Sequence, residues 1–195
     1  MSFKFENDSH DLVKDLETLY RDSSTADVTF IVEGLKLGAH TSIIGCRSSV
    51  FAKMLDHDML EKGTRRIQIT DADFQVFDAF LLYLYTAQIK NEDWETVYSL
   101  YSLAAKYDAS SLKHKCSHWL GKNISLETVC KCCALAELHG DQLLKQITKL
   151  FMREHLNETL QTTDWQIIVS DDSQLASEVL SFATSRMQHA PFLSF

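Results

Sequence analysis

In the segment HDLVKDLETLY, leucines fall at 12, 16 and 19, spacings of four and three residues that line one face of an α-helix, with Lys14, Asp15 and Glu17 off that stripe. The pattern predicts a helix with one apolar face. Over residues 27–40, DVTFIVEGLKLGAH, the chain changes character: Val, Thr, Phe and Ile favour strands, and Gly34 tolerates the positive φ that a tight turn at Glu33-Gly34 needs. A β-hairpin is predicted there. Residues 41–56 return to a helical pattern, RRIQI at 65–69 reads as a short strand, and DFQVFDAFLLYLYTAQ at 73–88 is a helix apolar on most sides, which predicts burial.

From Asn91 onward the pattern is helical: WETVYSLYSLAAKY, SSLKHKCSHWL, SLETVCKCCALAELHG, DQLLKQITKLFMREHL and DSQLASEVLSFATSRM. Ser125 reads as an N-cap with Glu127 in the first turn, Gly140 as the residue that ends that helix, and Asp141 as the cap of the next. A single proline, Pro191, leaves little to interrupt helices, and six glycines are few for an all-β chain. The predicted class is an α+β first half followed by an all-α second half, with the boundary near Gly121-Lys122, where a helix gives way to a polar connector.

Composition narrows the functional classes. With 45% hydrophobic residues in 195, the chain builds its core without staples. A net charge of −8 works against the phosphate backbone of nucleic acids, which needs clustered positive charge. No run reaches the roughly 20 apolar residues of a membrane span, and MSFKFENDSH lacks the basic start and apolar stretch of a signal peptide. Five cysteines, three of them in CKCC at 130–133, do not form a disulfide framework and suit a reducing compartment, so nucleus or cytoplasm is expected.

Candidates for chemistry are sparse. His114 and His118 share a helix face and are able to hold one zinc ion, but Cys116 points away from that face and the HExxH pattern is missing. Cys130 and Cys133 lack a second ligand pair, which favours buried thiols acting as small hydrophobes. Asp27 and His40 flank the hairpin without a nucleophile, so a structural hydrogen bond is the better account than acid–base catalysis. No phosphate loop and no GxSxG turn is present. The expectation is a protein without catalytic residues, cofactor or metal. The remaining oddity is HDMLEKG at 57–63, where Met59, Leu60 and Glu61 sit between a helix and a basic turn, either as a cap folded onto the core or as half of a docking site.

The segments DVTF, GAHTSIIGCRSSVFAKML, YLYTAQI and LAAKYDASSLKHKC, in that order, resemble a BTB/POZ domain, with Asp27, His40, Arg47, Phe51 and the Tyr107 segment standing where its signature puts them. The later helices, ISLETVCKCCALAELHGDQLLKQ with the DW and FA segments up to HAPFL, resemble the BACK region of speckle-type POZ proteins, which are substrate adaptors of cullin-3 ubiquitin ligases. The resemblance covers about residues 11–193. It implies an N-terminal segment with a dimerisation helix at 1–23, a BTB/POZ domain at 24–120 with a short sheet and helices, and an all-α BACK-like region at 121–195. It also implies a homodimer through the first helix, with Leu12, Leu16, Leu19 and Ile43 at the interface. Cullin-3 would then be bound through a hydrophobic-any-Glu motif that falls on Met59-Leu60-Glu61, with Tyr107 on the same surface.

The dimer also has a physical basis apart from the family, although the stripe could equally pack on its own domain. Burying the three leucines is worth at most about 5–9 kcal/mol per chain, part of which association consumes, and a helix at the head of the chain, ahead of a hairpin, is well placed to meet a second copy in a twofold contact. Four departures from the family stand out. Only ten residues stand before the first helix, where speckle-type POZ proteins carry a MATH domain that holds substrate, so either the chain is a fragment or it recruits substrate otherwise, and the family's basic nuclear-address tail does not follow PFLSF in this sequence. Val179 stands where the family has a Tyr that helps BACK regions associate into higher oligomers, and Ser49 stands where a Pro is usual. Two readings follow. One is a homodimeric cullin-3 adaptor that takes its substrate through a module not in this chain; the other is a BTB self-association scaffold in a transcriptional or cytoskeletal complex without ligase function.

Overall fold

The structure is a computed structural model that describes residues 8–55 and 65–185. Two compact units divide inside one helix, Met1–Cys116 and Ser117–Phe195. The class is the expected one, a short sheet with helices followed by a helical region.

In the first unit, α1 (Asp8–Arg21) precedes the hairpin of β1 (Val28–Val32) and β2 (Leu35–Ala39). Glu33 and Gly34 both take positive φ, 51° and 78°, the backbone of a two-residue hairpin turn whose twist matches its strands. This fixes the antiparallel register from Val28 opposite Ala39 to Val32 opposite Leu35. After α2 (Thr41–Arg47) and α3 (Ser49–Met54), β3 (Arg66–Ile69) returns parallel to β1, completing the order β2-β1-β3. Alternation along β1 sends Val28, Phe30 and Val32 into the core. There Phe30 meets Phe51 and Phe77, each at 5.2 Å, and Tyr107 stacks on Phe51 at 4.6 Å. The helix α4 (Phe74–Thr86) is buried over most of its last three turns, as its apolar run predicts; α5 (Trp94–Lys106) and α6 (Ser110–Lys122) follow.

One expected helix is two. The run from 41 breaks at Ser48, whose extended backbone (φ −145°, ψ 117°) lets its hydroxyl accept from the Phe51 amide at 3.1 Å and donate to the Tyr107 carbonyl. A serine side chain that caps a new helix competes with continuation of the old one. Ser49 is the first residue of α3, a position that suits either serine or proline.

The second unit holds α7 (Val129–Leu138), α8 (Gln142–Glu154), α9 (Leu156–Leu160), α10 (Thr163–Asp171) and α11 (Ser173–Thr184) around a core of Val129, Cys130, Cys133, Met152, Trp165, Leu175 and their neighbours. Gly140 takes φ 63° and Asp141 accepts from the Leu144 amide at 3.1 Å, both as expected. The expected start of α7 is not: the helix begins at Val129, because Ser125 is spent on a turn in which its carbonyl accepts from the Thr128 and Val129 amides and its amide donates to the Thr128 hydroxyl. The short α9 and α10 went unpredicted. Neither offers two full turns of periodic apolar residues, and α10 owes its start to Thr162, which caps the Trp165 amide at 3.2 Å.

Candidate protein-interaction site

The helix α1 is fastened at one end. Tyr20 donates to the Asp78 carboxylate at 2.6 Å, and the Arg21 guanidinium reaches the same carboxylate at 2.8 and 3.0 Å. Burial first, then the bond to Asp78, hold the Tyr20 phenol well above its ordinary range, so it stays a donor. Its ring lies 5.0 Å from that of Tyr85, and Glu17 pairs with Lys90. Toward the other end the stripe opens: Leu19 and Leu16 are half-buried, and Leu12 is 59% exposed. A large apolar side chain so exposed, on a helix pinned by three polar bonds to Asp78, is presented outward.

Ile43, half-buried, lies on α2, whose entry is set by Asp27 and His40. The Asp27 carboxylate accepts from the Thr41 amide and hydroxyl, both at 2.7 Å, with Arg65 at 3.6 Å. Partial burial opposes ionisation of Asp27, but the Thr41 bonds and Arg65 outweigh it and lower the carboxyl. His40 instead bonds Tyr85, its amide donating to the phenol oxygen at 2.8 Å and Nδ1 meeting it at 2.7 Å, while Nε2 meets Thr25 at 2.9 Å. Asp27 and His40 therefore serve separate structural networks.

Residues 16–124 match the profile of the BTB/POZ domain. The chain belongs to the BTB/POZ family. Over 170 residues it is 29% identical to mouse (Mus musculus) TD and POZ domain-containing protein 2, covering 87% of this chain and 47% of that protein. Over 177 residues it is 29% identical to mouse TD and POZ domain-containing protein 1, covering 90% and 48%. The chain thus spans about half the length of the curated relatives it matches. Among solved structures, the BTB domain of zebrafish PATZ1 superposes with a TM-score of 0.51 at 18% identity, covering 63% of this chain and all of that one, a likeness of fold. BTB/POZ domains are protein-interaction and self-association modules.

On the BTB/POZ domain, Met59, Leu60 and Glu61 lie outside the described residues. Tyr107, expected on the partner surface, is 3% exposed and stacked in the aromatic core, with its phenol raised by burial. The exposed groups beside it are Ser49 and Asp108, whose hydroxyl and carboxylate bond at 2.5 Å, and Lys106, paired with Asp71. In the second unit Val179, expected on an association surface, is 1% exposed, because Leu175, Ala176 and Val179 form the inward stripe of α11. The outward apolar residue of that turn is Leu180, at 37% exposure. Helical phase, taken from Leu175 and Ala176, carries that signal in the sequence. Leu138 and Leu143, still more exposed, flank the Gly140 turn and carry no pattern that announces them.

The remaining chemical candidates stay apart. His114 and His118 are exposed while Cys116 is buried, its thiol pushed up to about 12 by burial. Burial likewise raises Cys130 to about 11 and Cys132 to about 12, and Cys133 moves the same way. Protonated, buried thiols pack as small apolar groups. Among the described residues no cluster of three metal-ligating side chains forms, and no helix is long and apolar enough to cross a membrane.

Proposed function

We propose that this chain is a homodimeric, non-catalytic substrate adaptor of a cullin-3 RING ubiquitin ligase, working in the nucleus or cytoplasm. The observation that carries the self-association part is Leu12, 59% exposed on an α1 fastened at its opposite end. Two copies facing each other through Leu12, Leu16 and Leu19, joined by Ile43, bury that stripe in a self-complementary contact. Cullin-3 recognition is assigned to Met59-Leu60-Glu61, which occupies the family's motif position in the sequence: Met59 fills an apolar pocket and the Glu61 carboxylate accepts hydrogen bonds. The resemblance of the helical region to that of speckle-type POZ proteins extends this reading, and the relatives' names, which pair a TD with a POZ domain, fit substrate capture by a module outside these 195 residues.

The test is a calorimetric titration of the chain against the N-terminal domain of cullin-3, with a Met59→Ala, Glu61→Ala double variant as control. Binding by the parent and its loss in a variant that remains a folded dimer is the expected result. Equal binding by both removes Met59 and Glu61 from the interface. A folded dimer that does not bind at all favours the second reading, a self-association scaffold, which the outward Leu12 supports equally well.

A further inference from the structure

On the second unit, α8 and α11 enclose an open groove of about 540 Å³ that none of the assignments above uses. From α8, Lys149 lines it, and Lys145 and Arg153 stand one turn before and one turn after on the same helix face, at spacings of four residues, with Arg153 at the rim beside Phe182. The opposite wall presents Gln174, Ser177, Glu178, Ser181 and Phe182 of α11. Glu178 is already neutralised: it accepts from Lys145 at 3.0 Å and Lys149 at 3.1 Å, while Lys145 also pairs with Glu137. Three cations against two carboxylates leave one positive charge in excess, and its place is Arg153.

The Arg153 guanidinium lies 5.1 Å from the centre of the Phe182 ring and, among the described residues, has no ion pair or hydrogen bond. The hydroxyls of Ser177 and Ser181, one turn apart on the facing wall, are likewise without partners among the described residues. An arginine whose guanidinium lies over an aromatic ring and has no ion pair keeps its N–H groups available for a carboxylate, which it can take through two parallel bonds. Two donor hydroxyls stand along the same furrow. From this arrangement we propose that the α8–α11 groove is a docking site for an acidic segment of a partner polypeptide, with one Asp or Glu carboxylate on Arg153 and neighbouring polar groups on Ser177 and Ser181. Charge complementarity selects this occupant. A chain of net charge −8 repels anions as a whole, so an anionic partner is held only where the local sign reverses.

The experiment is fluorescence anisotropy of a labelled oligoglutamate peptide titrated with the full chain, with an oligolysine peptide as control. Saturable oligoglutamate binding at low salt, weakened about tenfold or more by Arg153→Gln and less by Ser177→Ala, is the expected result. Arg153→Lys keeps the charge but loses the paired bonds, so it recovers only part of the affinity. Circular dichroism and the melting temperature of each variant separate lost binding from lost fold. Absence of saturable binding, or equal affinity in a folded Arg153→Gln variant, overturns the proposal. Displacement by inorganic phosphate but not by chloride of matched ionic strength overturns the polypeptide assignment, because the groove then selects phosphate.

Discussion

The two units hold themselves together differently. In the first, side-chain hydrogen bonds join residues far apart in sequence: Tyr20 and Arg21 to Asp78, Asp27 to Thr41, His40 to Tyr85, Ser48 to Tyr107 and Ser49 to Asp108. In the second, most such bonds close within three or four residues, as at Asp141, Thr162 and Asp172, and the distant ties include the Lys145 and Lys149 pairs with Glu178, the Cys130 thiol with Thr162 and Lys131 with Asp164. Their cores differ too, interlocked aromatic rings around Phe51 in one and cysteines with aliphatic residues around Met152 in the other. A sheet and short helices need distant polar bonds to fix how they meet, whereas a set of helices with capped ends needs mainly an apolar seam. The first unit should therefore be the more sensitive to single changes.

Phe51→Ala is the severest way to break that contrast, since it removes the ring that Phe30, Phe80 and Tyr107 all touch. The expected loss is about 3–5 kcal/mol, read from chemical denaturation, against about 2–5 kcal/mol for Met152→Ala in the second core. If Met152→Ala costs more, the ranking of the two cores is reversed. A finer comparison uses glycines. A methyl group at Gly38 would lie 2.8 Å from the Ala26 Cβ, an atom that moves only with its backbone. At Gly121 the nearest atom is the tip of Ile147, at 3.0 Å. Gly38→Ala should cost roughly 1–3 kcal/mol through overpacking, and Gly121→Ala should be near neutral, because a shift of Ile147 is offset by the better helix propensity of alanine.

This division also explains what the sequence discloses. Period and turn chemistry are local signals, so the hairpin around Glu33-Gly34, the buried α4 and the cap at Asp141 are all legible. The break at Ser48 is not, because the bond that favours it reaches Tyr107, a residue whose position no local pattern supplies. Ser125 fails as a cap for the opposite reason, a nearer partner at Thr128 that turns the chain before the helix starts. At the candidate interface the stripe of α1 can be read from spacing, and the phase set by Leu175 and Ala176 turns Val179 inward and Leu180 outward, yet only the fold reveals that exposure is concentrated at Leu12.

Acid should weaken both units through different carboxylates. Asp27 and Glu178 each have their folded-state pKa lowered, Asp27 because the Thr41 bonds and Arg65 overcome its partial burial, Glu178 chiefly through its bond from Lys145 and then Lys149. A depressed carboxyl lends stability above its unfolded value, near 4, and that stability is lost as pH falls through the folded value. Melting temperature plotted from pH 5 downward should therefore fall less steeply in Asp27→Asn and in Glu178→Gln than in the parent. Parallel curves would show that neither carboxylate is linked to folding.

Another small effect has the opposite sign to the losses at Phe51, Met152 and Gly38. Ala87 closes α4 in the left-handed region at φ 55°, where a Cβ is unfavourable, and its carbonyl accepts from Lys115 at 2.7 Å. Glycine removes the steric strain, worth about 1–2 kcal/mol, but adds freedom to the unfolded chain, which takes back roughly 0.5–1 kcal/mol. Ala87→Gly should thus raise stability by a few tenths of a kcal/mol to about 1 kcal/mol. The Lys115 bond goes to the backbone, so it survives the change and does not confuse the measurement. A lower midpoint in denaturant at unchanged slope would mean that the Lys115 contact and the packing of α4 already make the left-handed turn favourable for alanine, placing the strain of the first unit elsewhere.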